Sequence, residues 1–204
     1  MGNEIRESRP EVTILGGPFL DCEHELVKEG ELLFTNDDNE IDCFEDGEVL
    51  LALKNYFTDL SKYTKIILVP SLNDMTSLHP FPQPPLSAKG STENLKFLSN
   101  PARFSINGID FGVINSELIR HLISKSEMFG DSNEHKLTRC IREFVKQRNF
   151  YPTYPPRENV SIDISRCCTD DDGVNYDMPT APDVLISFSE LPPFVGDVDS
   201  KVAY

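Results

Sequence analysis

The chain has 204 residues, 39% of them hydrophobic and 26% charged, which is enough apolar material for one globular domain with a real core and fits neither disorder nor a coiled coil. A formal net charge of −15 argues against direct contact with nucleic-acid phosphates, because that affinity comes from Lys and Arg displacing counterions. No apolar run approaches the roughly 18–20 residues needed to cross a bilayer, and the opening MGNEIRESRP is charged where a signal peptide is apolar, so a soluble, intracellular protein is expected.

Along the chain, short apolar runs alternate with amphipathic helices. The opening Met-Gly does not complete a myristoylation signal, since Arg6 stands where Ser or Thr is needed. EVTILGGPF places Val12, Ile14 and Leu15 in a short buried strand that Gly16-Gly17-Pro18 cannot extend. CEHELVKEGELLF reads as helical. From Glu48, the residues Val49, Leu50, Leu53, Tyr56, Phe57 and Leu60 recur at helical spacing as one apolar stripe. KIILVP is a continuous apolar run, the pattern of a central parallel strand covered on both faces.

HPFPQPPLSAKG follows as a proline-laden loop that can be neither helix nor central strand. KFLSNPARFSINGIDFGVI reads as short strands, with Asn107-Gly108 the strongest hairpin signal. NSELIRHLI and NEHKLTRCIREFVKQR are two helices, each preceded by Asn, Ser or Asp able to cap it. YPTYPP is a second proline block, and APDVLISF the last buried strand. Phe81, Tyr151 and Tyr154 in the proline blocks are of the aromatic type that anchors protein interfaces, and a partner-interface role is expected for them.

The acidic run NDDNEIDCFEDGE and the triplet Asp170-Asp171-Asp172 lack the alternating oxygen ligands, central Gly and terminal Glu of a calcium loop, and are expected to be solvated acidic loops. Cys22, Cys43, Cys140, Cys167 and Cys168 are odd in number and contain no CxxC, so neither a disulfide framework nor a zinc site is expected, and a reducing compartment suits them. Cys167-Cys168 has only Arg166 beside it to lower a thiol pKa. His79, His121 and His135 lie in no ligand motif.

Strands followed by helices imply an α/β layered domain, whose ligands bind beyond the carboxyl ends of the strands. Three loops stand there: GGPFLDCEH, PSLND and SFSELPP. Their positions resemble those of calcineurin-like metallophosphoesterases, where Gly-Asp, Gly-Asn-His and Gly-His-x-His loops hold two divalent ions to activate water. In that comparison Gly17-Pro18 stands in place of a bridging Asp, Ser71 and Leu72 in place of Asn and the catalytic His, and Ser189 and Leu191 in place of the histidine pair. Asp21, His24, Asn73 and Asp74 remain as donors, with Asp and Asn suited to turn roles.

GGPFLDCEHELV, VPSLND with HPFPQPPL, FSINGIDFGVINSELIRHL, RNFYPTYPP and PDVLISFSEL together resemble the B subunits of eukaryotic replicative DNA polymerases, in detail the alpha type, from about Arg9 to Val198. The resemblance implies a layered calcineurin-like phosphoesterase sheet with flanking helices, a single domain over residues 1–204 that is incomplete at both ends and lacks the family's OB-fold domain. It also implies no catalytic residue, no metal and no cofactor, with Asp21, His24, Ser71, Leu72, Asn73, Asp74, Ser189 and Leu191 as the positions of a degenerate former site. The implied role is a nuclear scaffold in initiation of DNA replication, bound to the C-terminal region of the polymerase alpha catalytic subunit and through it to primase, with no direct nucleic-acid or membrane contact. An active phosphoesterase using Asp21, His24, Asn73 and Asp74, or the equivalent subunit of polymerase delta or epsilon, are the alternatives.

Overall fold

The computed structural model describes residues 2–29, 33–35, 41–43, 48–75, 79–86, 92–127, 135–158, 160–167, 176–198 and 202–203. The acidic run is described only at residues 41–43 and at Glu48, and Cys168, Asp170, Asp171 and Asp172 lie outside the described residues. The chain divides into two compact units, one of Met1–Leu78 with Pro85–Leu98 and the other of His79–Pro84 with Ser99–Tyr204. Helices and sheets of both parallel and mixed type make the architecture α/β. Among the described residues no helix is long and apolar enough to cross a membrane.

The first unit is organised by a three-stranded parallel sheet. Strand β1 (Val12–Gly16), helix α3 (Glu48–Leu60), strand β4 (Lys65–Val69) and strand β5 (Leu95–Phe97) give the order β1-β4-β5, with Gly16 level with Val69 and Leu68 level with Phe97. The apolar run KIILVP is thus the central strand, as its composition requires. Phe57 and Leu60 from the stripe of α3 close over Leu15, Ile66, Leu68 and Leu95, with Phe19 edge-on to Phe57 at 5.2 Å. Each such fully buried side chain contributes about 1.5–3 kcal/mol. Helix α1 (Gly2–Ser8) buries Ile5 and ties Arg6 to Asp59 at 2.9 Å.

The helix expected over CEHELVKEGELLF is corrected. Among the described residues of that segment only α2 (Glu25–Lys28) is helical, and Leu33–Thr35 (β2) pairs antiparallel with Ile41–Cys43 (β3). None of the α2 residues is buried, so no packing extends this single turn, and Gly30, a poor helix former, follows closely in the sequence.

The second unit carries a mixed sheet built from β6 (Ala102–Ile106), β7 (Ile109–Asn115), β8 (Val184–Phe188), β9 (Asp197–Val198) and β10 (Val202–Ala203), in the order β6-β7-β8-β10-β9. Asn107 and Gly108 both take positive φ, 52° and 81°, and close the β6–β7 hairpin with Ile106 opposite Ile109. Helix α4 (Leu118–Lys125) buries Leu118 and Ile119, and α5 (Lys136–Gln147) buries Cys140, Ile141, Phe144 and Val145.

The caps differ from expectation. Asn115 is the last residue of β7 and its N–H donates to Asn100 Oδ1, so it is not the cap of α4; Glu117 takes that place without a side-chain cap bond. His135 caps α5, its Nδ1 accepting from Leu137 N–H at 3.3 Å.

Candidate functional site

At the tips of β1 and β4, two loops of the first unit interlock. Gly17 N–H donates to Val69 C=O at 2.9 Å as the chain leaves β1. In the second loop, Ser71 Oγ accepts from Asn73 N–H (3.3 Å) and Ser71 C=O from Asp74 N–H (3.1 Å), the self-bonded turn that Ser, Asn and Asp favour. Asp74 is fully buried, and its Oδ2 accepts from Phe19 N–H at 2.9 Å. Cys22 N–H donates to Asn73 C=O (2.9 Å) and Met75 N–H to Leu20 C=O (2.8 Å), an antiparallel contact centred on Asp21 and Asp74.

Gly17 is dictated by this closeness. A Cβ there would lie 2.9 Å from Asp74 Oδ2 and 3.1 Å from the Ser71 backbone nitrogen. Asp21 Oδ1 accepts from Glu23 N–H (2.9 Å), and His24 caps α2 by accepting from Leu26 N–H at Nδ1 (3.3 Å). Leu72 is half-buried in the turn.

The structure therefore brings Asp21, His24, Ser71, Leu72, Asn73 and Asp74 into one corner, with four of their side chains accepting from backbone N–H groups. The oxygen of Asp74 on Phe19 and the Nδ1 of His24 in a helix cap are directed at backbone N–H groups. Among the described residues no group of three or more His, Cys, Asp or Glu is placed to hold a metal ion. Ser189 and Leu191 lie in the second unit. There Ser189 Oγ accepts from Leu191 N–H (2.9 Å), and both residues line an apolar groove of about 310 Å³ with Leu137, Ile141, Phe188 and Phe194.

Of the aromatics assigned to a partner surface, Tyr154 is 83% exposed, whereas Phe81 and Tyr151 are corrected to core residues. The Phe81 ring packs on Tyr151 and Tyr176 at 5.4 and 5.5 Å, its N–H donates to Ser161 C=O, and its C=O accepts from Tyr176 Oη at 2.7 Å. The proline segment 79–84 is thus a structural insert, because its missing N–H groups prevent a ladder while its Phe and Gln enter the interior.

Sequence reasoning missed the polar half of that insert. Asn100 Nδ2 donates to Gln83 Oε1 (2.9 Å) and to Asn115 C=O (2.8 Å), and its Oδ1 accepts from Asn115 N–H (3.0 Å). Gln83 and Asn100 have no exposed surface. The available signal was a lone amide between prolines in FPQPP, where a solvated loop would have no need of one.

Burial pushes the Cys22 thiol up, helped by the charges of Glu23 and Asp21, and burial pushes Cys140 up as well, so neither has the character of a nucleophilic thiolate. His121 is held below its ordinary value by burial, then by Lys125 and Arg157.

Residues 2–196 match a family model that describes the B subunits of DNA polymerases alpha and epsilon. The chain belongs to this DNA polymerase alpha/epsilon B-subunit family. Within it the chain is 31% identical over 198 residues to the DNA polymerase alpha B subunit of Rattus norvegicus, covering 95% of this chain and 31% of the rat protein. The Mus musculus protein of the same description is 33% identical over 199 residues (95% of this chain, 31% of that protein), and the Schizosaccharomyces pombe one 30% over 204 residues (98% and 34%). The chain spans about a third of the length of these curated relatives. The blocks GGPFLDCEH and VPSLND of this B-subunit family member are the two interlocked loops described above.

Proposed function

We propose that this chain is part of a non-catalytic accessory subunit of the DNA polymerase alpha–primase complex, acting in the nucleus in initiation of DNA replication. It would do so by binding the C-terminal region of the catalytic subunit, and through it primase. The fold proposed is a calcineurin-like phosphoesterase layer, residues 1–204 forming part of one such domain. Its strand-tip positions Asp21, His24, Ser71, Leu72, Asn73, Asp74, Ser189 and Leu191 are those of a former metal site. The observation that carries the non-catalytic reading is the Asp74–Phe19 bond: the buried carboxylate nearest the strand tips fastens one loop to the other. The mechanism is positional. A subunit holding polymerase and primase together raises their effective concentration for each other, and the charge of −15 leaves DNA contact to other subunits. Exposed Tyr154 is the aromatic of the proline blocks offered to a partner.

Affinity purification of the endogenous protein, with partners identified by mass spectrometry, tests this; a catalytic subunit of polymerase alpha is expected, and its absence would overturn the reading. Recovery of a delta or epsilon catalytic subunit instead would move the chain to another complex. Manganese-dependent phosphodiester hydrolysis lost in Asp74→Ala, with the fold retained, would make it an enzyme.

A further inference from the structure

Among the described residues, the second unit has an open sheet edge whose chemistry specifies what pairs with it. In a two-residue hairpin the closing pair Ile106–Ile109 exchanges both backbone bonds, so Phe104–Phe111 and Ala102–Val113 do the same, and the groups of Arg103 and Ser105 point the other way. The neighbouring strand has the same phase: Asp110, opposite Ser105, turns its N–H and C=O away from β6, to Asp183 Oδ2 (2.9 Å) and Asp183 N–H (2.8 Å). Arg103 and Ser105 therefore present two N–H donors and two C=O acceptors along the outer side of β6, and among the described residues no strand pairs there. Both residues are exposed. The segment that pairs with Asn100 through Gln83 is bounded by Pro82 and Pro84, which have no N–H with which to continue along β6.

The two faces of this edge differ. On one face Phe104 stacks on Phe111 at 5.4 Å and 6°, and Phe104 and Ile106 are half-exposed. On the other, Arg103 stands over Gly112, which has no side chain, and Ser105 opposite Asp110; here a cleft of about 270 Å³ opens towards Pro182 and Thr180. Arg103 has no ion-pair partner among the described residues, in a chain that carries 34 acidic side chains against 19 basic ones.

We propose that β6 is a docking edge for an extended segment of a partner protein, added antiparallel, with an acidic side chain beside Arg103 and an apolar one beside Phe104. Main-chain pairing supplies affinity and the alternating side chains supply specificity. A second copy of this chain is the poorer occupant. Antiparallel self-pairing about Phe104 sets Arg103 against Ser105, bringing no carboxylate to the cation. This edge is independent of the strand-tip corner and of the proposed assembly with a polymerase.

The test uses the isotope-labelled 204-residue chain and the peptide acetyl-Val-Thr-Val-Glu-Val-amide, whose residues fall in turn opposite Ile106, Ser105, Phe104, Arg103 and Ala102. The Arg103 and Ser105 amides should exchange rapidly in the free protein and become protected as peptide is added. Replacing the peptide's Glu with Lys should weaken binding about fivefold, and Arg103→Glu should invert that preference. Ser105→Pro removes an outward N–H while sparing the β6–β7 ladder, and should weaken binding about tenfold; continued protection of the Phe104 and Phe111 amides shows that the hairpin is intact. Unprotected Arg103 and Ser105 at saturating peptide, or unchanged binding by a folded Ser105→Pro, would overturn the proposal. So would protection that rises with protein concentration alone, which would mark self-association.

Discussion

Replacing Asn100 with alanine should be among the most damaging single changes in the second unit. One side chain there makes three hydrogen bonds of 2.8–3.0 Å, to Gln83 Oε1 and to both backbone groups of Asn115, at a site without solvent access. Each buried partner left without its bond costs about 1–3 kcal/mol. Gln83 and Asn115 have other interactions that soften the loss, so the low end of that range for each of the three lost bonds gives an expected total of about 3–4 kcal/mol. An exposed ion pair such as Arg120–Glu190, at 53% and 78% side-chain exposure, is worth about 0–1 kcal/mol and serves as the control through Arg120→Ala. Asn100→Leu restores volume without donors and should lose as much as Asn100→Ala, which separates polar satisfaction from packing. The assay is urea unfolding followed by tyrosine fluorescence, which buried Tyr151 and Tyr176 report in a chain without tryptophan, together with amide exchange at Val113, Ile114 and Asn115. A loss under about 1 kcal/mol in both variants would refute the network as a source of stability.

Gly17→Ala forces a methyl to within 2.9 Å of Asp74 Oδ2 and 3.1 Å of backbone that cannot rotate away; a loss of about 1–3 kcal/mol in thermal or urea melts is expected, with the Phe19 amide losing protection first. His121 binds its proton less readily folded than unfolded, because burial and the nearby Lys125 and Arg157 disfavour the charge. Its contribution is therefore complete above its ordinary value of 6.5 and is lost as pH falls below it, so the wild type should lose more stability than His121→Gln between neutral and mildly acidic pH. Equal slopes in paired melts would rule out His121 as the source.

Much of the fold was legible because local pattern and tertiary role agreed. KIILVP has no polar position to offer solvent beyond its first residue, and it became the central strand; Asn107-Gly108 carries the two residue types that accept positive φ, and it became the hairpin turn. The candidate corner was legible as residue identity, since Asp21, His24, Ser71, Asn73 and Asp74 do meet at the strand tips of the first unit. What each atom does there was not legible: an Asp that accepts from a distant backbone N–H and an Asp that faces solvent are the same letter.

The proline blocks mark the limit most clearly. Composition fixed their exclusion from helix and central strand, since a ring in place of an N–H acts locally and needs no neighbours. Whether Phe81 and Tyr151 faced a partner or the interior depended on Tyr176, Ser161 and Asp163, which are remote in the chain and adjacent only after folding. In the same way, alternation along ARFSI predicts a strand, but that its outer side stands open among the described residues follows only from which strand pairs with the inner one. Backbone conformation and side-chain type are properties of short segments, readable one window at a time; burial, pairing and free edges are set by contacts between segments and exist only once the chain has closed on itself.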